Sequence, residues 1–253
     1  MVATDERGLG RRIKSRLPSR ALTVAYNSLM RLVPFRLKYS IGGLLRNNVA
    51  PYRLLKPDDT VVQIGNARDI LCSGRNRAIH FARLVPQGRV IAIEADSASY
   101  QALHRVVKKY KLDNITVVHS GAWDKKTELV FLSSPDHPAA NLIEEAQAIP
   151  EDLLKKRRYT KQVINVDTVD NILRQLNVKT PTLVSITTNG AELKVLEGLT
   201  ETVGQGCPYI SLAETGEGFI ERMNDLGYEY LSRDDRGYCF GKKQETHLAR
   251  DAA

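Results

Sequence analysis

Cysteine is scarce in this chain of 253 residues: Cys72, Cys207 and Cys239 are the full set, and none stand at C-x-x-C spacing. An odd, unpaired set argues against a disulfide framework or a thiolate zinc site and points to a reducing compartment. No uninterrupted apolar run approaches the roughly 18 residues a spanning helix needs, and the start lacks the compact apolar core and cleavage site of a signal peptide. A cytoplasmic location is therefore expected, and no metal is. The G-x-G-x-x-G triplet of dinucleotide-binding folds is missing too. Its companion acid stands about 20 residues on, whereas Glu94 lies 29 residues beyond Gly65, so nicotinamide cofactors are disfavoured. Acids are nearly absent from residues 1–56, where Asp5 and Glu6 face twelve Lys and Arg, a net +10 that leaves −2 for the remainder.

A basic arm of this kind lowers its energy by meeting anionic lipid, nucleic acid or an acidic partner, or it is a solvated segment packed by its apolar residues. Its aromatics are few, Tyr26, Phe35 and Tyr39, and no RNA-binding signature accompanies them, so nucleic acid is the weaker partner. From Ala21 to Leu45 apolar residues recur at helical spacing, interrupted by Pro34, which predicts two short helices. They form either a membrane-surface element or a cap on the following domain.

From Asp58 onward strands and helices alternate. Strands are expected at Thr60–Ile64, Arg89–Glu94, Ile115–His119, Glu128–Leu132, Val163–Val166, Leu183–Thr187 and Tyr209–Ala213. Helices are expected at Arg75–Leu84, from Ser97 as cap to Tyr110, at Asp167–Leu176, over 190–199 and around Gly218–Leu226. A hairpin near Tyr228–Leu231 and Gly237–Phe240 closes the chain, and residues 133–160 read as an excursion from the sheet. This order predicts an α/β fold, a doubly wound, mainly parallel seven-stranded Rossmann-like sheet with a C-terminal antiparallel hairpin and an N-terminal helical arm. The implied division is an arm over 1–56, a domain over 57–243 and a tail over 244–253.

Ligands of open α/β sheets bind beyond the carboxyl ends of the strands, where strand order reverses. The first strand ends in Gln63-Ile64-Gly65-Asn66, and Gly65 either lets a ligand approach the backbone or only serves the turn. The second ends in Glu94-Ala95-Asp96. A carboxylate at Glu94 can accept from both hydroxyls of a ribose, or simply offset a helix dipole. After the third strand come Ser120, Gly121, Ala122 and Trp123, the lone tryptophan, which walls a pocket or fills the core. Arg68, Arg75 and Arg77 follow Gly65 and suit a phosphate or carboxylate, or form an exposed cluster. His80 and His119 titrate near neutrality in principle, but a lone histidine is more often packing. Asn189, three residues before Glu192, fits a capping box for the helix over 190–199.

The block ITTNGAELKVLEGL, Ile186 to Leu199, resembles I-D-V-E-G-A-E-x-x-V-L-x-G, the signature of the FkbM-type family of class I S-adenosylmethionine-dependent methyltransferases. The Gly190-Ala191-Glu192 core, Val195-Leu196 and Gly198 match. VDTVDNIL, Val166 to Leu173, is similar to the family's V-x-T-L-D-x-L element, and DNITVVHSGAWD adds to a resemblance spanning roughly 58–241. It implies S-adenosylmethionine as cofactor, held by Gln63, Gly65, Asn66, Glu94, Ala95, Asp96, Gly121, Ala122 and Trp123, with adenine against Gly121-Ala122. It also implies methylation of an oxygen on a small or lipid-linked acceptor such as a sugar, near Thr187, Asn189 and Glu192. Thr187 and Asn189 stand where relatives carry acids, Gln63 stands where an aspartate is usual, and the first loop is longer than usual. A threonine cannot serve as an ordinary base at neutral pH, so a binding or scaffolding protein on a decayed methyltransferase fold is the second reading. An RNA methyltransferase using the basic arm is the third.

Overall fold

The computed structural model describes residues 32–134, 140–146, 151–213, 218–234 and 236–243. Most of the basic arm (1–31), Pro135, Pro138 and Pro150 of the excursion, and the tail from 244 lie outside them.

Helix α1 (Phe35–Arg46) starts directly after Pro34, as the proline predicts. It precedes β1 (Thr60–Ile64), the short α2 (Arg68–Cys72), α3 (Arg77–Leu84) and β2 (Arg89–Glu94). Helix α4 (Ser97–Tyr110) leads to β3 (Ile115–His119). Then follow β4 (Gly121–Ala122), β5 (Thr127–Ser133), β6 (Leu142–Ile143), α5 (Glu151–Lys156) and β7 (Thr160–Asp167). The chain continues through α6 (Val169–Gln175), β8 (Leu183–Ile186), α7 (Glu192–Glu197), α8 (Thr200–Gly204) and β9 (Tyr209–Leu212). Helix α9 (Phe219–Asp225) and the hairpin β10 (Tyr228–Arg233) and β11 (Tyr238–Lys242) close it.

Seven strands form the main sheet in the order β10-β11-β9-β8-β1-β2-β3. The run from β9 to β3 is parallel, and β11 inserts antiparallel between β9 and β10. The chain winds outward from β1 in one direction through β2 and β3, then returns on the other side as β8 and β9. The strand order therefore reverses between β1 and β8, and the cleft outside their carboxyl ends is where a ligand belongs.

Burial on both faces follows from the strand sequences. In β1 and β2, Val61, Val90 and Ala92 join one apolar cluster, while Val62, Ile64, Ile91 and Ile93 join the other. Successive residues of a strand point to opposite faces, so continuous apolar runs fill both layers. Helix α1 belongs to this packing. Tyr39 and Tyr52 are fully buried in the cluster with Ile79 and Phe81, so burial continues across residue 56.

Four expectations are corrected. The strand expected at Glu128–Leu132 exists as β5, but it lies outside the main sheet in a four-stranded sheet ordered β4-β7-β5-β6. The strand expected at Val163–Val166 runs the full length of β7, because all seven residues of β5 pair with it. Ser97 is the first helical residue of α4; the cap is Asp96, whose carboxylate accepts from the Ser99 amide at 2.8 Å. No capping box opens α7, because the cap position falls on Ala191 and Asn189 donates elsewhere.

Candidate functional site

A cleft of about 180 Å³ opens at the strand-order reversal. Gly65, Asn66, Glu94, Ala95, Gly121, Ala122, Thr187 and Asn189 of the expected site line it. Its floor is made by the ends of β1, β2 and β8, and one wall by Phe131, Asn141, Leu142 and Ile143 from the second sheet. Arg236, in the β10–β11 turn, reaches the cleft beside Ala213.

Glu94 is the best-fixed group there. It ends β2 only 7 % exposed. One carboxylate oxygen accepts from the Asn66 amide and the other from the Asp96 amide at 2.8 Å. A carboxylate has about four acceptor directions, so two amides leave each oxygen with capacity toward the cleft. Burial pushes the carboxyl up to about 7; the Asp96 and Asn66 amides oppose that rise and the neighbouring Asp96 carboxylate adds to it. Asn66 is itself clamped, its side-chain amide donating to the Ile93 carbonyl at 3.1 Å and accepting from Asn76, the cap of α3. The Gly65-Asn66 turn is thus held from three sides.

Gly65 has φ +83°, and a Cβ there would sit 2.3 Å from the Thr187 carbonyl oxygen. The glycine is required chiefly by the approach of β8 to β1, in addition to lining the cleft. Gly121 has a similar reason: a Cβ would meet Val166 of β7 at 2.5 Å.

Other expected site residues have different places. The Gln63 side chain points away from the cleft toward the face of Val61. Its NH2 lies within hydrogen-bond distance of the Ile64 and Gly65 carbonyls and of Thr187 Oγ1, which share its two protons, and its oxygen accepts from Ser185. It ties β1 to β8 and does not line the cleft. Asp96 is occupied as the α4 cap. Trp123 is buried in the main apolar cluster, so the indole is core. Thr187 lines the cleft, but its hydroxyl proton is directed to the Ile64 and Gly65 carbonyls. Asn189 donates to the Asn141 carbonyl at 2.7 Å and latches the loop after β8 onto the second sheet. His80 is buried against Tyr39, and His119 stacks on Tyr100 at 4.6 Å.

None of the three arginines lines the cleft. Arg75 is exposed and donates to Ser73, and the Arg68 amide donates to Ser99. Arg77 is buried, 3.1 Å from Ser211 Oγ and 3.3 Å from Asp234 Oδ2. Its Nε and Nη1 have no hydrogen-bond partner, but the guanidinium lies 5.4 Å from the ring centres of both Tyr52 and Phe81, a cation–π setting. Asp234 Oδ1 in turn accepts the Arg236 and Gly237 amides. The arginine expected to touch substrate instead braces the turn carrying Arg236, which does reach the cleft. Arg236 carries no local sequence signal beyond its place in a hairpin turn.

Glu192 is 1 % exposed on α7 behind the cleft, not among its lining residues. Burial pushes its carboxyl up to about 7 against nearby backbone amides and the Thr188 hydroxyl. That hydroxyl opposes the rise without an aligned bond, since Thr188 Oγ1 and Glu192 Oε2 both lack a partner. The folded state keeps this proton between about 4.5 and 7, where the unfolded chain has released it. Stability therefore falls as pH rises through that window. Glu192→Gln is expected to be about 1–3 kcal/mol more stable than wild type at pH 8 and to show no gain at pH 4.5. Urea denaturation at both pH values checks this, and an equal effect at both would remove the protonation argument.

Among the described residues no group of three His, Cys, Asp or Glu could hold a metal ion. Cys207 and Cys239 are free and buried, which pushes both thiols up to about 12. No helix among the described residues is long and apolar enough to cross a membrane.

The sheet order and the cleft define a class I methyltransferase fold. The family model described as "Methyltransferase FkbM domain" matches residues 63–231, and the chain belongs to that family. Among solved structures, it is similar to the methyltransferase FkbM of Methylobacillus flagellatus at 18 % identity and TM-score 0.48, over 74 % of this chain and 44 % of that one. This chain thus spans less than half of that protein's length. A methyltransferase from Geobacter sulfurreducens matches at 14 % identity and TM-score 0.42, over 95 % and 98 % of the two chains. Aeropyrum pernix fibrillarin, solved with natively bound S-adenosyl-L-methionine, matches at 13 % and 0.42, over 81 % and 74 %. The search of curated proteins gives no match.

Proposed function

We propose that the chain is an S-adenosylmethionine-dependent methyltransferase acting on an oxygen of a small or lipid-linked acceptor such as a sugar. The observation that carries the donor assignment is the Glu94 carboxylate, fixed by two backbone amides at the rim of the cleft. The residues fit the donor: Glu94 offers acceptors to two ribose hydroxyls, and the Gly121-Ala122 backbone offers a small, flat surface for adenine. When bound, the donor supplies an electrophilic methyl group on a sulfonium. The chain's part is to orient both partners and exclude water, with Thr187, Thr188 and Asn189 lining the acceptor side. Oxygen as the acceptor atom, and the sugar, rest on the family resemblance.

Arg236 gives this reading a handle on the acceptor. A guanidinium at the cleft suits a carboxylate or phosphate on the acceptor molecule. Labelled methyl transfer from S-adenosylmethionine into polar-lipid and soluble-glycan fractions tests the activity. Arg236→Ala is expected to raise the acceptor KM about tenfold, while leaving affinity for S-adenosylhomocysteine unchanged. Unchanged KM would remove Arg236 from acceptor binding.

One observation favours a second reading, a donor-binding protein without transfer: Gln63 and Thr187 spend their polar atoms on cross-linking β1 to β8. Binding heat with the donor but no labelled product in any fraction would select it.

A further inference from the structure

Along α1, Leu37, Ile41 and Leu44 stand at i, i+4 and i+7, positions that a helix gathers into one stripe. They are 51 %, 49 % and 79 % exposed. The opposite face holds the helix to the domain. Tyr39 is buried there and donates to the Leu71 carbonyl at 3.1 Å. Gly42 packs so closely that a Cβ would lie 2.7 Å from His80. Docking of α1 on its own domain therefore does not use the stripe.

Two guanidinium groups stand beside the stripe. Arg36 is exposed beside Leu37. Arg83 of α3 donates to Ser40 at 2.9 Å, which brings a second guanidinium to the edge of the stripe. Of the other cations on the helix, Lys38 is buried and Arg46 bonds His80 at 2.9 Å, so both serve the inner face. An aliphatic stripe with guanidinium groups at its edge matches the boundary between acyl chains and anionic headgroups: the first takes the leucines, the second the guanidinium groups.

We infer that the outer face of α1 docks the protein on an anionic lipid surface, with Leu37, Ile41 and Leu44 entering the headgroup–acyl boundary and Arg36 and Arg83 meeting lipid phosphates. This does not depend on the methyltransferase reading. It does bear on it, because α1 is bonded to α2, whose Ile70 lines the cleft. Docking would hold that cleft wall beside the membrane.

Co-sedimentation of the full chain with vesicles of phosphatidylcholine, with and without about one third phosphatidylglycerol, tests it. Binding to the anionic vesicles alone is expected, weakened at least roughly tenfold when salt rises from about 0.1 to 0.5 M. Leu37→Ser, Ile41→Ser and Leu44→Ser together should weaken it roughly a hundredfold. Arg36→Glu with Arg83→Glu should weaken it roughly tenfold or more. Thermal stability should fall only slightly in the triple variant, since Leu37 and Ile41 are half exposed and serine is a poorer helix former, and should hardly change in the charge variant. Four results would each overturn the inference. They are absence of anionic-vesicle binding, undiminished binding by the triple variant, a wild-type dimer that the triple variant turns into a monomer, and a collapse of cooperative folding in that variant. The second would give the lipid attraction to another segment, the third would give the stripe to a second copy, and the fourth to the chain itself.

Discussion

Glu94→Gln is expected to weaken binding of S-adenosylhomocysteine by about a hundredfold at pH 8. The two oxygens of Glu94 already accept the Asn66 and Asp96 amides, so the carboxylate meets four donors once two ribose hydroxyls arrive. Glutamine has one acceptor oxygen. Its NH2 must face an amide N–H, donor against donor, or lose a ribose hydroxyl. Hydrogen bonds to charged groups contribute about 1.5–3 kcal/mol each, and the loss of one corresponds to roughly ten- to hundredfold in affinity; the amide conflict places the expectation at the upper end. The pH dependence gives an independent check. Burial holds the Glu94 carboxyl up to about 7, and the hydroxyls select its ionised form. Wild-type affinity should rise about tenfold per pH unit well below 7 and level off above it. The variant should show no such rise. Calorimetry from pH 5.5 to 8.5 would disprove the assignment if the two proteins gave the same curve.

Gly65→Ala is expected to destabilise the fold by about 3–5 kcal/mol. The added methyl group would lie 2.3 Å from the Thr187 carbonyl oxygen and 3.0 Å from its carbon. Both are backbone atoms and cannot rotate aside. Relief requires β1 and β8 to part, at the cost of the Thr187 amide bond to the Ile64 carbonyl. The φ of +83° adds to the penalty, since a residue with a Cβ is disfavoured there. The denaturation midpoint should fall with an unchanged denaturant slope. A loss below about 1 kcal/mol would mean that the strand ends yield easily, and that the close approach of β8 is not the reason for the glycine.

The sheet was legible because its strands announce themselves. TVVQI, RVIAIE and ITVVH are apolar, β-branched runs between turn residues, and their bounds in the structure are the expected ones. Glu94 and Gly65 were legible for the same reason, being fixed by where the strands end. The second sheet was not. Its strands β4 and β6 are two residues long, too short for periodicity, and β7 is held by long-range pairing with β5. The roles of Gln63 and Arg77 were equally hidden. Both depend on partners far along the chain, Ser185 and Thr187 for one and Ser211 and Asp234 for the other. Sequence spacing cannot show that Gln63 and Ser185 are register partners on neighbouring strands. Asn189 was misread because capping depends on the local backbone, and Gly190 at φ +85° shifts the helix start past it.

The amide of Gln63 both gives and receives: its nitrogen serves Thr187 and two carbonyls, and its oxygen serves Ser185. An aspartate at 63, one methylene shorter and without N–H, would lose the donor that serves Thr187 and the two carbonyls. An aspartate at 187 would lose the hydroxyl proton that those same carbonyls receive. Gln63 and Thr187 therefore act as one coupled pair, joined across the ends of neighbouring strands. A change at either position is expected to disturb the other, so their effects on stability should not add.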